Sequence, residues 1–192
     1  MYNFKEVEEK WEKRWDEEKS FKAIDFHPTK PKYYVLYEFF NISGNLHMGH
    51  LKGSVPADAL ARMKRFQGYN VLFPIGGDSF GLPAENAAIK TGIDPKIFVA
   101  NGMKNVLAQS KRIGLSFDYD RAFATSDEDY YKWTQWIFLQ FFKNGKAYKK
   151  KGVVNFCPTC KTVLSNEDSQ GGICDRCHGK VIQDEIWVWF LK

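Results

Sequence analysis

The chain has 192 residues, of which 44% are hydrophobic and 16% aromatic, so it can bury a sizeable core and is unlike a disordered segment. Its formal net charge of +5 permits contact with nucleic acid but does not require it. No apolar stretch approaches the length of a membrane span, so we expect no membrane-embedded segment.

The first segments of the chain are predicted to form a helix, a loop and a strand. Phe4 to Lys19 has the pattern of an amphipathic helix that docks through its aromatic residues, and residues 22–31 are predicted to form a loop. Lys32 to Phe39 is rich in aromatic and β-branched residues, as is typical of a buried strand.

The next segments complete a β-α-β unit. A helix with its apolar face between Ala57 and Gln67 ends near Gly68, because glycine favours a C-terminal cap. If this helix begins as early as Met48, Pro56 must kink it or make it restart. Tyr69 to Phe73 is predicted to be a second strand, parallel to the first and joined to it by a right-handed connection.

Two more helices are predicted after this unit. A loop from Pro74 to Pro83 leads into a helix from about Ala84 to Thr91. Asp94 and Pro95 supply an N-cap and a first-turn proline, and so open a longer helix that ends at Gly114.

The last helix precedes a stretch of different character. Thr125 to Glu128 has capping-box chemistry, and the aromatic helix after it ends at Asn144-Gly145. Lys149 to Lys151 then precede a short strand, Val153 to Phe156. The alternation of strands and helices predicts an α/β domain with a parallel sheet.

Two histidines lie where the first strand passes into the second helix. The stretch Ser43 to His50 places His47 and His50 three residues apart, with Gly49 between them. A helix N-terminus carries unpaired N–H groups and attracts anions. Two ring donors and a glycine that allows close approach therefore predict a nucleotide phosphate site, although this short motif fits two surface histidines near a turn equally well.

A carboxylate follows the second strand. In open parallel α/β sheets, ligands bind beyond the carboxyl ends of the strands, so Asp78 and the histidines are expected at the same edge. A pocket that holds phosphate beside an ammonium group is what amino-acid activation by ATP needs. Asp78 alone fits a helix cap equally well.

All four cysteines occur in two C-x-x-C pairs, separated by thirteen residues. This spacing favours a structural zinc site with Cys157, Cys160, Cys174 and Cys177 as its ligands. His178 is left out because four thiolates already fill a tetrahedral shell. The clustering also argues for a reducing compartment, so we expect a cytoplasmic protein.

Six segments of the chain match one known family: His47–His50, Ala61–Leu72, Asp78–Lys90, Tyr130–Phe138, Val154–Pro158 and Trp189–Leu191. Through them the chain resembles the N-terminal part of the class I aminoacyl-tRNA synthetases, most closely the bacterial leucine-specific members. The resemblance implies the first half of a Rossmann-like parallel-sheet nucleotide-binding domain and a small zinc-ribbon module. The implied domains are 1–150 (N-terminal helix and catalytic half-domain), 151–185 (zinc-binding module) and 186–192 (return segment toward an editing insertion).

The resemblance implies a two-step reaction, in which ATP and leucine give an aminoacyl-adenylate and the aminoacyl group then passes to tRNA. His47 and His50 would be catalytic donors to the phosphates. The implied ATP-binding residues are Ser43, Gly44, His47, Gly49 and His50, and the implied amino-acid-binding residues are Glu38, Phe39, Asn41 and Asp78. ATP as substrate, Mg²⁺ and Zn²⁺ are the expected cofactors, and tRNA, leucine and the C-terminal part of the same enzyme are the expected partners.

The chain departs from the family pattern before the histidines. Where leucine-specific members usually have Phe-Pro-Tyr-Pro-Ser-Gly, the sequence has Phe39-Phe40-Asn41-Ile42-Ser43-Gly44. Gly77 also stands where the family usually has a Trp, directly before the aspartate that is Asp78 here. The stretch from Asn41 to His47 is more similar to isoleucyl and valyl enzymes, so a paralogue with altered amino-acid specificity is an open alternative.

The family's second signature, Lys-Met-Ser-Lys-Ser, does not occur in the sequence. We therefore expect an excised N-terminal portion or one piece of a split enzyme, inactive or weakly active alone. The alternatives are a small nucleotidyltransferase and a zinc-ribbon RNA-binding module with a vestigial ATP site. A run of lysines fits contacts to tRNA phosphate and a solvated helix end equally well: Lys143, Lys146, Lys149, Lys150 and Lys151.

Overall fold

The computed structural model describes residues 2–192, so Met1 of the predicted N-terminal domain lies outside the described residues. The chain divides into two compact units, one that runs up to Tyr131 and one from Lys132 to Lys192. The predicted domain limits at 150/151 and 185/186 stay a prediction.

Helix α1 (Phe4–Glu17) is the predicted N-terminal helix, but it ends before Lys19. Lys19 has a φ of 51°, a left-handed conformation that a continuing helix does not adopt. Trp15 packs against Phe21 with ring centroids 5.3 Å apart, whereas Phe4 is exposed. Helix α1 therefore packs through the aromatic residue near its C-terminal end, and the one at its N-terminal end is exposed.

Two stretches of the chain run parallel to each other, and each is made of two short strands: β1 (Lys32–Tyr34) and β2 (Phe40–Asn41), then β3 (Asn70–Leu72) and β4 (Pro74–Asp78). Strands β1 and β3 form a two-stranded sheet, and β2 and β4 belong to a second sheet. The prediction of one continuous strand from Lys32 to Phe39 was wrong. Tyr34 pairs with Leu72, but Phe40 pairs with Gly77, so the first stretch contains one residue more than its partner. This extra residue interrupts the ladder between β1 and β2, as a bulge does.

Strand β4 lies within the segment Pro74 to Pro83, which was predicted to be a loop, so that prediction was wrong for the first half of the segment. Gly76 and Gly77 lie inside this strand and permit close packing against it. A Cβ at Gly76 would lie 2.7 Å from ring atoms of both Phe39 and Phe123. Glycine here marks a close approach of side chains to the strand.

A third parallel strand, β5 (Asp118–Ala124), was not predicted. It pairs with β4, which gives the order β2-β4-β5. The charged residues in this segment conceal a strand pattern. Asp118 is nevertheless buried, because it accepts the backbone N–H of Ala23 at 2.9 Å and pairs with Arg121 at 3.3 Å. The predicted α/β class with parallel strands is confirmed.

Helix α2 (Met48–Phe66) begins at the earlier of the two predicted positions and continues through Pro56 without restarting. It ends at Phe66 with Gln67 as its C-cap, and Gly68 follows with a φ of 88°, as expected for a glycine that terminates a helix. Helix α2 connects the first parallel stretch of the sheet to the second, so its N-terminus lies just beyond the carboxyl end of β2.

Helices α3 (Leu82–Thr91) and α4 (Pro95–Arg112) follow β4. The predicted cap of α4 is confirmed, since the side chain of Asp94 accepts the backbone N–H of Lys96 at 2.8 Å. Gly114, with a φ of 81°, follows the end of α4 as predicted. The buried core of this unit includes Phe40, Phe73, Val106 and Phe117.

Helix α5 (Glu128–Lys143) contains the predicted aromatic positions and is followed by Gly145, which has a φ of 66°. The predicted capping box before α5 stays a prediction, and two of its residues bond to Ser79. Thr125 Oγ1 accepts the backbone N–H of Ser79 at 3.0 Å, and the backbone N–H of Ser126 donates to Ser79 Oγ at 3.1 Å. They connect the residues before α5 to the residue after β4. No helix within residues 2–192 is long and apolar enough to cross a membrane.

The second unit contains an antiparallel sheet of three strands in the order β7-β6-β8: β6 (Ala147–Cys157), β7 (Thr162–Leu164) and β8 (Ile182–Leu191). The predicted strand Val153 to Phe156 is only the last part of β6, and the lysines expected before it lie inside the strand. Lys149 Nζ lies 5.9 Å from the ring centroid of Trp189, and Lys150 Nζ lies 4.7 Å from that of Phe190. Aromatic neighbours on β8 therefore accommodate lysines that disfavour a strand.

Candidate active site and metal centre

His47 and His50 cap the N-terminus of α2 together. The backbone N–H of Gly49 donates to His47 Nδ1 at 3.1 Å, and the backbone N–H of His47 donates to His50 Nδ1 at 3.2 Å. His47 is the N-cap residue, with the extended backbone that a cap requires. The two imidazoles thus take the places of the Ser and Glu side chains in an ordinary capping box.

This arrangement determines where the ring protons lie. Because Nδ1 of each ring accepts a backbone N–H, a neutral ring must carry its proton on Nε2. The rings stack with centroids 3.9 Å apart. Partial burial lowers the pKa of His50, and the neighbouring His47 lowers it further, while Glu38 opposes the shift. The pair therefore offers Nε2–H donors at a helix N-terminus, where anions are favoured.

Gly49 has a steric role that the sequence did not predict. A Cβ at this position would lie 2.9 Å from Cε1 of His47, so a side chain would displace the capping ring. The sequence-based role of Gly49, to let a nucleotide lie against the backbone, stays a prediction.

Tyr37 supports the histidines from the first stretch of the sheet. Its hydroxyl donates to the backbone carbonyl of His50 at 2.8 Å, and burial raises the pKa of this hydroxyl. Gly53 makes room for the tyrosine, because a Cβ there would lie 2.8 Å from Tyr37 Cε2. The ring of Phe40 lies edge-on to His50, with centroids 5.5 Å apart. Sequence analysis missed Tyr37, because only the fold brings it to the helix.

The structure places Asn41 and Asp78 side by side at the carboxyl ends of β2 and β4. They are register partners, and the backbone N–H of Ile42 donates to the Asp78 carbonyl at 3.2 Å. Both side chains are exposed, and the Thr125 hydroxyl donates to Asp78 Oδ1 at 3.5 Å. A carboxylate and an amide therefore lie together at the edge where ligands of parallel sheets bind.

The other predicted site residues lie around this edge. Ser43 and Gly44 are exposed in the bend between β2 and α2, and a Cβ at Gly44 would meet nothing within 4 Å. Glu38 is exposed between β1 and β2. Phe39 packs edge-on against Phe123 with centroids 4.9 Å apart, so its side chain has a packing role.

A cavity of about 690 Å³ lies elsewhere in the first unit, and sequence analysis did not predict it. Its walls come from α3, α4, β5 and the start of α5, and they include Ala84, Val99, Met103, Phe123 and Tyr131. None of the residues predicted for ATP or amino-acid binding is in its lining. The apolar positions of α3 and α4 indicated only helix packing, so the sequence contained no signal for this cavity.

The four cysteines converge in the second unit, and their Sγ atoms all lie within 4.8 Å of one another. The Sγ atoms of Cys157 and Cys177 are 3.5 Å apart, and those of Cys160 and Cys174 are 4.0 Å apart. Ligands of a tetrahedron with 2.3 Å Zn–S bonds are separated by about 3.8 Å. The residues therefore fit a four-coordinate zinc ion without rearrangement.

The two cysteine pairs have matching backbones. The N–H of Cys160 donates to Cys157 Sγ, and the N–H of Gly179 donates to Cys177 Sγ, both at 3.4 Å. The residue after each pair is left-handed: Lys161 has a φ of 52° and His178 a φ of 57°. Each pair is thus a tight turn whose backbone donors point at a sulfur, as a thiolate ligand requires.

The thiol pKa values are consistent with a site that needs a cation. The N–H of Cys160 stabilises the Cys157 thiolate and lowers its pKa to about 7. The bond to Cys177 and the nearby sulfurs raise the pKa of Cys160 to about 12. Four adjacent thiolates repel one another, so a bound cation is what allows all of them to ionise together.

Comparison with known proteins identifies the family. The family model described as tRNA synthetases class I (M) matches residues 33–185, which is most of the chain. The chain belongs to the class I tRNA synthetases. The resemblance recognised in the sequence is therefore confirmed, and the matched region contains the histidine pair, Asp78 and the four cysteines.

Curated relatives of this synthetase chain are named leucine–tRNA ligase. Those of Thermotoga petrophila and Thermotoga maritima are 51% identical to it over 191 residues, and that of Symbiobacterium thermophilum is 48% identical. All three matches cover 100% of this chain but only 22–23% of the relative. The chain thus spans less than a quarter of the length of the curated relatives it matches.

Two solved structures are also similar. A LeuRS of Agrobacterium radiobacter K84, in a ternary complex with tRNA and LeuAMS, matches all of this chain and 24% of its own, with a TM-score of 0.90 and 33% identity. A Mycobacterium tuberculosis methionyl-tRNA synthetase in complex with methionyl-adenylate covers 84% of this chain and 32% of its own, with a TM-score of 0.69. At 22% identity, this second match shows a shared fold alone.

Proposed function

We propose that this chain is the N-terminal catalytic portion of a leucine–tRNA ligase, which activates leucine with ATP and transfers the leucyl group to tRNA. The observation that carries the proposal is the stacked His47–His50 pair at the start of α2. The names of relatives that are 48–51% identical along the whole chain support leucine as the amino acid.

The first chemical step would be attack of the amino-acid carboxylate on the α-phosphate of ATP. Little covalent chemistry falls to the protein, so its contribution is positioning and charge stabilisation. His47 and His50 would donate from Nε2 to phosphate oxygens, and Ser43, Gly44 and Gly49 would border the nucleotide. Donors fixed before the reaction stabilise the developing negative charge without reorganisation.

The amino acid would bind at the adjoining strand ends. Asp78 would accept hydrogen bonds from the ammonium group, while Asn41 and the backbone of Glu38 and Phe39 would border the substrate. The register pairing of Asn41 with Asp78 supports this assignment, because it places both at one edge of the sheet.

Two metal ions accompany the proposal. Zn²⁺ would be held by the four cysteines and would keep the second unit folded. Its role would be structural and not catalytic, because four thiolates leave no open position on the ion. Mg²⁺ would arrive with ATP as a ligand of its phosphates.

The test is amino-acid-dependent exchange of pyrophosphate into ATP. The chain spans less than a quarter of its relatives' length. We would therefore build a hybrid in which this chain replaces the matching segment of the Thermotoga maritima ligase, to which it is 51% identical. Exchange with leucine, exceeding that with isoleucine, valine or methionine, is expected. Exchange driven best by another amino acid would identify a paralogue with altered specificity, and no exchange with any of them would contradict the proposal.

A further inference from the structure

Three amide side chains connect α4 to the loop before the histidines. Gln109 Oε1 accepts the backbone N–H of Leu46 at 2.8 Å, and Gln109 Nε2 donates to Asn45 Oδ1 at 3.3 Å. Asn105 Nδ2 donates to the same Asn45 oxygen at 2.7 Å. Gln109 and Asn105 are four residues apart on α4 and therefore lie on one face of the helix. We call this group the amide clamp: Asn45, Asn105 and Gln109.

The amide clamp holds the chain immediately before the N-cap. Leu46 is the residue before His47, whose backbone must be extended (φ −139°, ψ 173°) for its ring to cap α2. The first residue of the loop is also fixed by α4, since Ile42 is 1% exposed and a Cβ at Gly102 would lie 2.4 Å from its Cγ2. Helix α4 thus determines both ends of a loop whose middle is exposed.

We propose that Gln109 and Asn105 are positioning residues for the adenylation site, which hold His47 and His50 in their stacked arrangement through Leu46 and Asn45. This inference rests on the proposed function of the histidine pair. A site built from donors fixed before the reaction needs support from neighbouring hydrogen bonds, because a misplaced donor loses most of its effect. The amide clamp supplies that support from an element that does not itself carry the histidines.

The test measures binding of Mg·ATP to the 192-residue chain by calorimetry, for the wild type and three variants. Gln109→Met keeps the length of the side chain and removes both of its hydrogen bonds, and we expect it to weaken binding about 5- to 10-fold. Asn105→Ala removes one bond and should weaken binding less. Lys104→Ala changes an exposed neighbour of Asn105 on α4 and should stay within about twofold of wild type, as is usual for surface changes.

A second readout follows the histidines directly. In proton–carbon NMR spectra of the ring Cε1–H groups, Gln109→Met should raise the pKa of His50 toward its ordinary value, because the ring becomes more exposed and less tightly stacked. A purely structural role of Gln109 would lower the melting temperature and leave this pKa unchanged. Circular dichroism on each variant establishes that it is folded.

The outcomes distinguish the two proposals. If the wild-type chain binds Mg·ATP and Gln109→Met binds it equally well with unchanged histidine signals, the amide clamp is not a positioning device. If the wild-type chain does not bind Mg·ATP, the NMR readout decides whether the clamp orients the rings, and pyrophosphate exchange by the Thermotoga maritima hybrid decides the proposed function. Asn45→Ala combined with Asn105→Ala should cost no more than Asn45→Ala alone, since both changes remove the same bond.

Discussion

His47 and His50 stack with ring centroids 3.9 Å apart, and the Nδ1 atom of each accepts a backbone N–H at the start of α2. The same hydrogen bonds that cap the helix leave the protons on Nε2. The helix cap and the proposed phosphate site are therefore one structure here, so the fold stabilises the geometry that the proposed chemistry would use.

The titration of His50 is the first prediction. Its pKa lies below the ordinary value of about 6.5 because of burial and the neighbouring His47, while Glu38 opposes the shift. Glu38→Gln should therefore lower this pKa further, as followed by NMR of the ring protons. Glu6→Gln on α1 is the matched control and should leave the pKa of His50 unchanged. A rise in the pKa of His50 in Glu38→Gln would contradict the assignment.

The sign of the pH effect on stability follows from the same shift. A histidine whose folded pKa is lowered binds fewer protons in the folded state than in the unfolded state. The contribution of His50 to the free energy of unfolding is therefore present above about pH 6.5. It is lost as the pH falls through the lowered pKa that His50 has in the folded chain. We expect urea midpoints of the chain to fall in this window, and to fall less in His50→Gln. An equal fall in both proteins would show that other groups cause it.

Removal of zinc should affect one part of the chain. Chelation is expected to loosen residues 152–185 in hydrogen exchange and to leave the α/β part folded, because the cysteines lie in the second unit. Elemental analysis should give about one zinc per chain. Cys174→Ser should lose the zinc, whereas Arg176→Ala, between two ligands, should keep it. Collapse of the whole chain on chelation would contradict this modular behaviour.

The turn after the second cysteine pair is strained by its sequence. His178 has a φ of 57°, a conformation that glycine adopts at no cost and other residues adopt at about 1 kcal/mol. His178→Gly should therefore raise the stability of the zinc-bound module by about 1 kcal/mol, measured by urea unfolding. His178→Ala retains the Cβ and should give no such gain. Equal effects of the two variants would locate the cause in the lost imidazole.

Gly76 should be far less tolerant than Gly44. A Cβ at Gly76 would lie 2.7 Å from rings of Phe39 and Phe123, while a Cβ at Gly44 meets nothing within 4 Å. Gly76→Ala is expected to destabilise the chain by about 1–3 kcal/mol through overpacking, and Gly44→Ala should be nearly neutral in the same denaturation assay. Equal stability of the two variants would show that β4 adjusts freely at Gly76.

The sequence predicted well where a local pattern determines the structure. The Asp94 cap, the glycines after α2 and α4 and the two cysteine pairs all follow from residue chemistry at fixed spacing. The segment of β4 was predicted to be a loop and β5 was not predicted, because the patterns of these strands depend on partners distant in sequence. Gly76 packs against Phe123 and Asp118 accepts the backbone N–H of Ala23, and neither partner can be predicted from the local sequence.

The candidate site shows the same division. The histidines and Asp78 could be selected from the sequence, because their residue types suit phosphate and ammonium groups. Tyr37 and Gln109 could not, since their roles come only from the hydrogen bonds they make to His50 and Leu46 in the folded chain. Their own sequence context is that of an ordinary strand and an ordinary helix.

The most direct measurement is the rate of leucine-dependent pyrophosphate exchange by the Thermotoga maritima hybrid that carries His50→Ala. Removal of one donor that acts in the transition state is expected to slow exchange by about 10²- to 10³-fold. His27→Ala, in the loop before β1, should leave the rate unchanged. A rate for His50→Ala within about threefold of the unmodified hybrid, far from the loss expected for such a donor, would contradict the assignment of the histidine pair as the ATP site.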